Sequence, residues 1–411
     1  MNVTIGKDAL VSLIKRGGLA ALSDIAQTDS SSVGPIVRSI KLNVEDSRIV
    51  ASSCNELMGI RYVVNKEDTE ELTIESTGIV VVDAKDLLTW TDTQSDGTEI
   101  SMKLTPIEET EALIPRNGKI DLVAKGQKGS VSEWSLDSFD PSKTPVVDFE
   151  EDSLAAFTMN GGVFRDDINK VAFSAQKNDY QHKYDNVLVQ TQEEGRIAFV
   201  ATDTKRCAVK FNNNSEGITG NDVKILIPAA MLAQISGILD ESKDVTMSYN
   251  EESGKVFVRQ NNIVARLSGP PKEAAEQYPN VLGMLNLSKY TRFLTISKKE
   301  MSKLLGGVAI VNKGNSLFSF DSAKSSLVVQ TKSEGGSKRP LNNKAQLDNV
   351  EFDVKNIWNS SYILSALKEM KSDKIELHVV TESPRALLIT GSDDDDFAFM
   401  TVKLSDSKYE V

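Results

Sequence analysis

Residue types that carry covalent or metal chemistry are sparse in this 411-residue sequence. His182 and His378 are the only histidines and stand far apart, so each reads as a surface or strand residue and not as a ligand. Cys54 and Cys207 are the only cysteines and lack the spacing of a zinc site. Two such cysteines argue against a disulfide framework and for a reducing cytoplasm. The run Asp393-Asp394-Asp395-Asp396 invites a divalent cation. Four successive carboxylates on one short loop cannot all converge, however, and a solvated hairpin tip accounts for them. There is no GxxxxGK loop, GxSxG, HExxH or CxxC, and no acid–base pair with supporting groups. The expectation is a protein without catalytic residues, metal or cofactor.

A cationic corner is the more informative feature. Residues 196–211 read RIAFVATDTKRCAVKF. Ile197, Phe199 and Ala201 alternate as in a strand buried on at least one face. Thr202-Asp203-Thr204-Lys205-Arg206 then makes a polar turn whose Asp and Thr can bond the backbone, and Cys207-Ala208-Val209 resumes the strand. This arrangement fixes two cations at one place on a sheet. Alone it is an ordinary hairpin, but its layout recurs twice more.

The elements that must position it follow a repeat. In the first pass, residues 4–22 have a helix-like face weakened by Gly17-Gly18, each costing about 1 kcal/mol in a helix interior. Strands are expected over 36–44, 48–52 and 58–64, around a corner at 53–57, followed by a helix over 83–91 with Asp83 as its N-cap. Strands over 99–104, 119–124 and 130–136 close the pass. Residues 140–153, DPSKTPVVDFEEDS, read as a connector. The second pass has helices over 164–176 and from Pro228, with strands over 186–190, 196–200, 245–249, 255–259 and 262–267. The third has a capping-box start at 297–300 and a helix to 311. Its remaining elements are strands over 316–321 and 325–330, a corner at 331–336, a helix over 359–370, and strands over 375–380, 386–390 and 397–404. The spacing predicts three α+β domains, 1–144, 145–284 and 285–411, each with two helices packed on antiparallel sheets.

The second and third passes carry motifs that resemble the bacterial-type DNA polymerase sliding clamp, the beta subunit of the replicative polymerase. VATDTKRCAV is similar to that family's "VATDGHRLA" corner, ILIPAAML to its proline-led helix start, and NIVARLSG with YPNVL to the end of its middle domain. NSSYILSALKEM resembles its "N..YLLDAL" helix, and PRALLIT with FAFMTVKL its closing strands.

The resemblance implies a head-to-tail homodimer ring of six domains, with sheets outside and helices lining a hole for duplex DNA. Binding would be topological and independent of sequence. The implied DNA-facing cations are Lys15, Arg16, Arg165, Lys170, Lys298, Lys299, Lys303, Lys368 and Lys371. The net charge of −12, with acidic runs at 150–152 and 393–396, suits an exterior that repels DNA.

A second implied surface is a pocket for short, partly apolar peptides from the polymerase, the clamp loader and repair proteins. Its wall would comprise Thr202, Thr204, Lys205, Arg206, Cys207, Pro228, Leu232, Asn359, Tyr362, Pro384, Ala386, Ala398, Met400, Thr401 and Val402. Arg206 and Asn359 would bond the peptide's backbone or polar end. At the subunit interface, Ser130, Val131, Trp134 and Leu136 would meet Ile310, Val311 and Leu317 of a second copy.

The sequence departs from the family at several points. Thr204-Lys205 replaces Gly-His, Asp185 stands where an apolar residue is usual, Thr401 replaces a proline, and residues 405–411 extend past the usual end and could lie over the pocket. These departures put peptide preference in question and also fit a clamp encoded by a virus of bacteria. Two other readings remain open on residues alone. One is a β-rich viral structural or assembly protein; the other is a hydrolase or transferase with an unrecognised site. No apolar run is long enough to span a membrane.

Overall fold

The structure, a computed structural model, describes all residues except 32, 108–113, 127–128, 150–153, 177–182, 193–194, 214–222, 251–252, 312–313, 332–340, 383–384, 394–395 and 404–411. The first pass runs β1 (Asn2–Gly6), α1 (Lys7–Gly17), the short α2 (Leu19–Leu22), α3 (Asp24–Thr28) and α4 (Gly34–Val37), then β2 (Ser39–Val44), β3 (Arg48–Cys54) and β4 (Met58–Asn65). It continues with β5 (Thr73–Ser76), β6 (Gly78–Asp83), α5 (Ala84–Asp92), β7 (Glu99–Pro106), β8 (Arg116–Lys125) and β9 (Val131–Phe139). The second pass is β10 (Leu154–Asn160), α6 (Gly161–Ala172), β11 (Asn186–Thr191), β12 (Ile197–Thr202), β13 (Arg206–Asn212), β14 (Lys224–Pro228), α7 (Ala229–Ile238), β15 (Asp244–Asn250), β16 (Lys255–Gln260) and β17 (Ile263–Ser268). Short α8 (Lys272–Glu276) and α9 (Val281–Met284) follow. The third pass is β18 (Thr291–Ser297), α10 (Lys298–Val311), β19 (Asn315–Asp321), β20 (Ser326–Thr331), β21 (Leu341–Gln346), β22 (Val354–Asn359), α11 (Ser360–Glu369), β23 (Lys374–Val379), β24 (Ala386–Gly391) and β25 (Phe397–Val402).

Each pass is therefore strand, helix, strands, helix, three strands, with β5 an addition in the first. Pairing makes the repetition explicit. One eight-stranded sheet has the order β10-β15-β16-β17-β4-β3-β2-β6, and a second reads β18-β23-β24-β25-β13-β12-β11-β14 in the same direction. The last strand of one pass thus pairs with the fourth strand of the pass before it, β17 with β4 and β25 with β13. The other two sheets are the unjoined halves of this design. These are β5-β1-β7-β8-β9, a last half carrying β5, and β21-β20-β19-β22, a first half.

Contacts divide the chain into two compact units, residues 1–162 with 234–269, and residues 163–233 with 270–411. In the first, Leu10, Leu13 and Ile14 of α1 and Leu87 of α5 are fully buried with Val3, Ile40, Leu42, Ile49, Val80, Ile100 and Leu122 from the strands. Full burial stabilises by about 1.5–3 kcal/mol for each such side chain. The Gly17-Gly18 pair ends α1 where it was expected to run through the helix. A Cβ at Gly17 would lie 2.4 Å from that of Ala51, so only glycine lets the helix end meet β3 this closely. In the second unit Phe293 meets Phe320 edge-on at 4.9 Å, and Trp358, fully buried, packs 5.5 Å from Phe318.

Several elements depart from expectation. β1 overlaps the helix expected over 4–22, and β5, β6, β10, β14, β18, β21 and β22 were not foreseen. The connector at 140–153 begins with a turn at Pro141–Lys143, and Val147 packs close to Gly59. Residues 150–152 lie outside the described residues. Asp83 does cap α5, its Oδ1 accepting from the backbone N–H groups of Lys85 and Asp86.

Candidate functional site

The β12–β13 corner is built by its own side chains. Thr202 Oγ1 donates to the Arg206 carbonyl at 2.7 Å and accepts from the Thr204 N–H at 3.1 Å. Asp203 Oδ1 accepts from the N–H groups of Lys205 and Arg206 at 3.0 and 2.9 Å. Thr204, where the resembling family has glycine, has φ +72°, a region that a β-branched residue enters at a cost of about 1–2 kcal/mol. The glycine-like backbone survives the change of residue.

Arg206 is held on three sides. Its Nε donates to Asp203 Oδ2 at 3.0 Å, and its guanidinium carbon lies 4.2 Å from the Tyr362 ring centroid and 5.7 Å from that of Phe173. The side chain is 11% exposed, so it builds the wall more than it reaches out of it. Burial, with the Asp203 charge adding, raises the Tyr362 hydroxyl above its ordinary pKa against the pull of Arg206. Asn359 is likewise engaged, because its Oδ1 accepts from the N–H groups of Ser361 and Tyr362 and caps α11. The sequence suggested that both residues would bond a peptide; the structure places their strongest bonds inside the chain.

On the other face of the sheet, Cys207 and Met400 pack with Leu188, Val200, Leu226 and Leu388 beneath Ala275, Tyr278 and Val281. Leu282, Leu285, Tyr290, Ala386 and Ala398 flank them, half-buried. The Tyr290 hydroxyl lies 3.1 Å from the Met284 carbonyl and 3.3 Å from Met400 Sδ. Burial pushes the Cys207 thiol up to about 12, so it packs as an apolar group. Met284 and Leu287 remain 47% and 52% exposed beside this cluster. The 278–290 stretch is the part of the candidate site that was overlooked. Its YPNVL run reads in the sequence only as the close of the second pass, although the cluster of Tyr278, Val281, Leu282, Leu285 and Tyr290 after the Pro270-Pro271 pair is a signal of a packed strap.

Other wall residues differ in placement. Thr401 is fully buried, with Oγ1 3.4 Å from the Lys205 carbonyl, and Val402 is half-buried with its N–H donating to the same carbonyl at 3.0 Å. Pro228 ends β14 and is buried, and Leu232 is fully buried on α7, so Leu232 is core and not wall. Asp185 is 5% exposed. Pro384 and the 405–411 extension lie outside the described residues.

Of the helix cations, Lys15, Lys299, Lys303 and Lys368 are exposed. Arg16 is half-buried, donating to the Tyr62 hydroxyl at 3.3 Å, and Arg165 is half-buried too. Lys298 donates from Nζ to the Met370 carbonyl at 2.6 Å, at the C-terminal end of α11. Lys371 is exposed and ion-paired with Asp166. Lys170 corrects the expectation: it is 3% exposed, its Nζ 5.6 Å from the Phe397 ring, and it cannot present its charge to a duplex. It shares a face with Asp167 one helical turn away, which is 2% exposed and accepts from Asn212 Nδ2 at 2.5 Å. Burial pushes the Asp167 carboxyl up to about 6, against that hydrogen bond and the charges of Lys210 and Lys170.

The interface residues divide as well. β9 is an edge strand; Val131 is 60% exposed and Ser130 exposed, while Trp134, stacked 6.2 Å from Trp90, and Leu136 are half-buried. Ile310 is 77% exposed near the end of α10, which Val311 closes. Leu317 corrects the expectation, because β19 lies between β20 and β22 with both sides bonded and cannot add a strand from another chain. The edge strands of that sheet are β21 and β22.

His378 is buried, with Nε2 3.0 Å from Thr390 Oγ1. His182, Asp394 and Asp395 lie outside the described residues, and Asp396 pairs with Arg196 at 3.6 Å and Lys210 at 3.7 Å. No described group of three or more His, Cys, Asp or Glu could hold a metal ion. No helix among the described residues is long and apolar enough to cross a membrane.

Comparison with known proteins agrees with this architecture. The family described as DNA polymerase III beta subunit, central domain, matches residues 158–268. The beta sliding clamp of Staphylococcus epidermidis is 23% identical over 377 residues, covering 88% of this chain and 89% of that protein. The DNA polymerase sliding clamp of Bacillus subtilis superposes with a TM-score of 0.79 at 17% identity, covering 99% of both chains. The DNA polymerase III beta subunit of Thermotoga maritima gives 0.79 at 14% identity, covering 99% of this chain and 100% of that one. With its repeated half-sheets and paired helices, the chain matches the beta-subunit central domain over 158–268 and is similar over nearly its full length, in sequence and in fold, to bacterial DNA polymerase sliding clamps.

Proposed function

We propose that this chain is a DNA sliding clamp, a non-enzymatic cytoplasmic processivity factor. Two copies close a ring of six domains around duplex DNA, and the domains are 1–144, 145–284 and 285–411. The ring tethers the replicative polymerase, receives the clamp loader and docks other replication and repair proteins through short peptides.

The observation that carries this reading is the pair of unjoined half-sheets. β21 occupies in the third pass the place that β4 and β13 occupy in theirs, and β9 the place of β17 and β25. Pairing β21 of one copy with β9 of a second makes a nine-stranded sheet, eight strands in that same order with β5 added at one end, and doing so twice leaves neither β9 nor β21 an unpaired edge. Exposed Val131 and Ile310 supply apolar cover beside that seam. Exposed lysines on α1, α10 and α11 provide a sequence-independent attraction for phosphates that allows sliding. The groove comprises the β12–β13 corner, the start of α11, the ends of β24 and β25, and the 278–290 strap, with apolar anchors seated against Met284, Leu285, Tyr290 and Met400.

Light scattering across a dilution series tests the ring. A species near twice the 45.0 kDa chain mass supports it. An assembly that grows without limit as concentration rises contradicts closure.

A further inference from the structure

The hydrogen bonds of the β12–β13 corner recur at the β3–β4 corner of the first unit. Asn55 Oδ1 accepts from the N–H groups of Leu57 and Met58 at 2.9 Å, as Asp203 Oδ1 does from those of Lys205 and Arg206. Cys54 pairs with Gly59 across this corner as Thr202 pairs with Cys207 across the other, so the two sheets align residue by residue. Counted from those pairs, Lys41, Ser52, Arg61 and Arg266 stand where the second sheet has Leu188, Val200, Val209 and Met400. The second sheet buries its apolar set, whereas Lys41, Ser52, Arg61 and Arg266 are half-buried.

Residues 144–149 cross this polar face without filling it. Val147 packs against Gly59, and the Phe149 ring centroid lies 5.2 Å from the Arg61 guanidinium carbon. A cavity of about 170 Å³ is left between Lys41, Ser52 and Cys54 on the sheet and Pro145, Val147 and Phe149 above it. The Lys41 ammonium has no ion-pair or hydrogen-bond partner among the described residues, and the Arg266 Nε, shielded from solvent, has no acceptor there. Burial raises the Cys54 thiol above its ordinary pKa, and the charge of Arg266 pulls the other way, so Arg266 acts on the same spot. Half-buried cations without an internal acceptor lose hydration that no contact of the chain replaces.

We propose that this cavity takes a small organic anion, its carboxylate or phosphate head received by Lys41 in the field of Arg266 and its short apolar body lying against Val147 and Phe149. One position of the repeat thus holds apolar side chains in the second sheet and an anion in the first. None of these residues belongs to the peptide groove, the DNA-facing set or the subunit seam, so the inference stands apart from the function proposed above.

The test follows alkylation of Cys54 by iodoacetamide, a neutral reagent, in the full chain, with the label located by peptide mapping. Cys207 is 2% exposed and its thiol is pushed up to about 12, so Cys54 is the reactive cysteine. At constant ionic strength, about 20 mM isovalerate should slow the reaction roughly 3–10-fold, whereas isovaleramide, the same shape without the charge, should leave it unchanged. Protection by inorganic phosphate as well supports a site for the oxyanion head itself; protection by isovalerate alone supports a head joined to its apolar body. In Lys41→Met the protection should disappear while the rate without anion stays close to that of the wild type. If isovaleramide protects as well as isovalerate, the anion assignment is overturned. If neither isovalerate nor phosphate protects the wild-type chain, the site itself is overturned.

Discussion

Arg206 and Tyr362 join the β12–β13 corner to the first turn of α11, and removing either tests whether that contact organises the groove wall. The guanidinium lies 4.2 Å from the ring centroid in a side chain only 11% exposed, a geometry worth about 1–2 kcal/mol. Arg206→Ala also loses the 3.0 Å bond to Asp203, a charged hydrogen bond worth about 1.5–3 kcal/mol. Asp203 keeps two backbone donors, which limits the damage. The single variant should therefore cost about 2–4 kcal/mol, and the Arg206→Ala, Tyr362→Leu cycle should show a coupling of about 1 kcal/mol. A chain of this size unfolds in more than one step. The assay is therefore urea unfolding in a Trp90→Phe, Trp134→Phe background, where buried Trp358 is the sole tryptophan and reports on the second unit. Additivity within about 0.3 kcal/mol would refute the stacking argument.

Three further outcomes follow from the same structure. Thr204→Gly should stabilise the Trp358 transition by about 0.5–1 kcal/mol, because relief at φ +72° outweighs the added freedom of the unfolded chain; destabilisation would mean that the threonine conformation is unstrained. The Asp167 carboxyl, raised from 3.8 to about 6 in the fold, contributes stability that is present below pH ~4 and lost as pH rises through 6, up to about 3 kcal/mol; the difference between wild type and Asp167→Asn, followed against pH by urea unfolding, should show that slope. Reversing Lys299, Lys303 and Lys368 to Glu should shorten retention on DNA and reduce its salt dependence by roughly two to three counterions, with the dimer mass unchanged; equal retention would remove these lysines from the DNA-facing set.

The threefold order of elements was legible in the sequence, and so were the strands of the β12–β13 corner and the Asp83 cap. Each is marked by an alternation, a turn residue or a capping residue at its boundary. The strands β1, β10 and β18 escaped because each runs directly into a helix with no intervening turn, so period 2 and period 3.6 blur within one window. β21, LNNKAQ, is a polar edge strand whose identity comes from its neighbour β20 and not from its own residues. Lys170, Leu232 and Leu317 failed for a related reason. The resemblance gave all three a surface role, whereas burial was decided by partners far along the chain: Phe397 for Lys170 and the flanking strands β20 and β22 for Leu317. The 278–290 strap was visible as a motif, but its position over Cys207 and Met400 is a tertiary fact.

The central claim is that the chain holds DNA by surrounding it, and the most direct measurement is retention on a nicked circular plasmid after loading, followed by linearisation. The account predicts that the protein co-elutes with the circle through a high-salt gel-filtration column and is released when the circle is cut. Loss from the circle in salt, or equal retention on circular and linear DNA, would contradict encirclement.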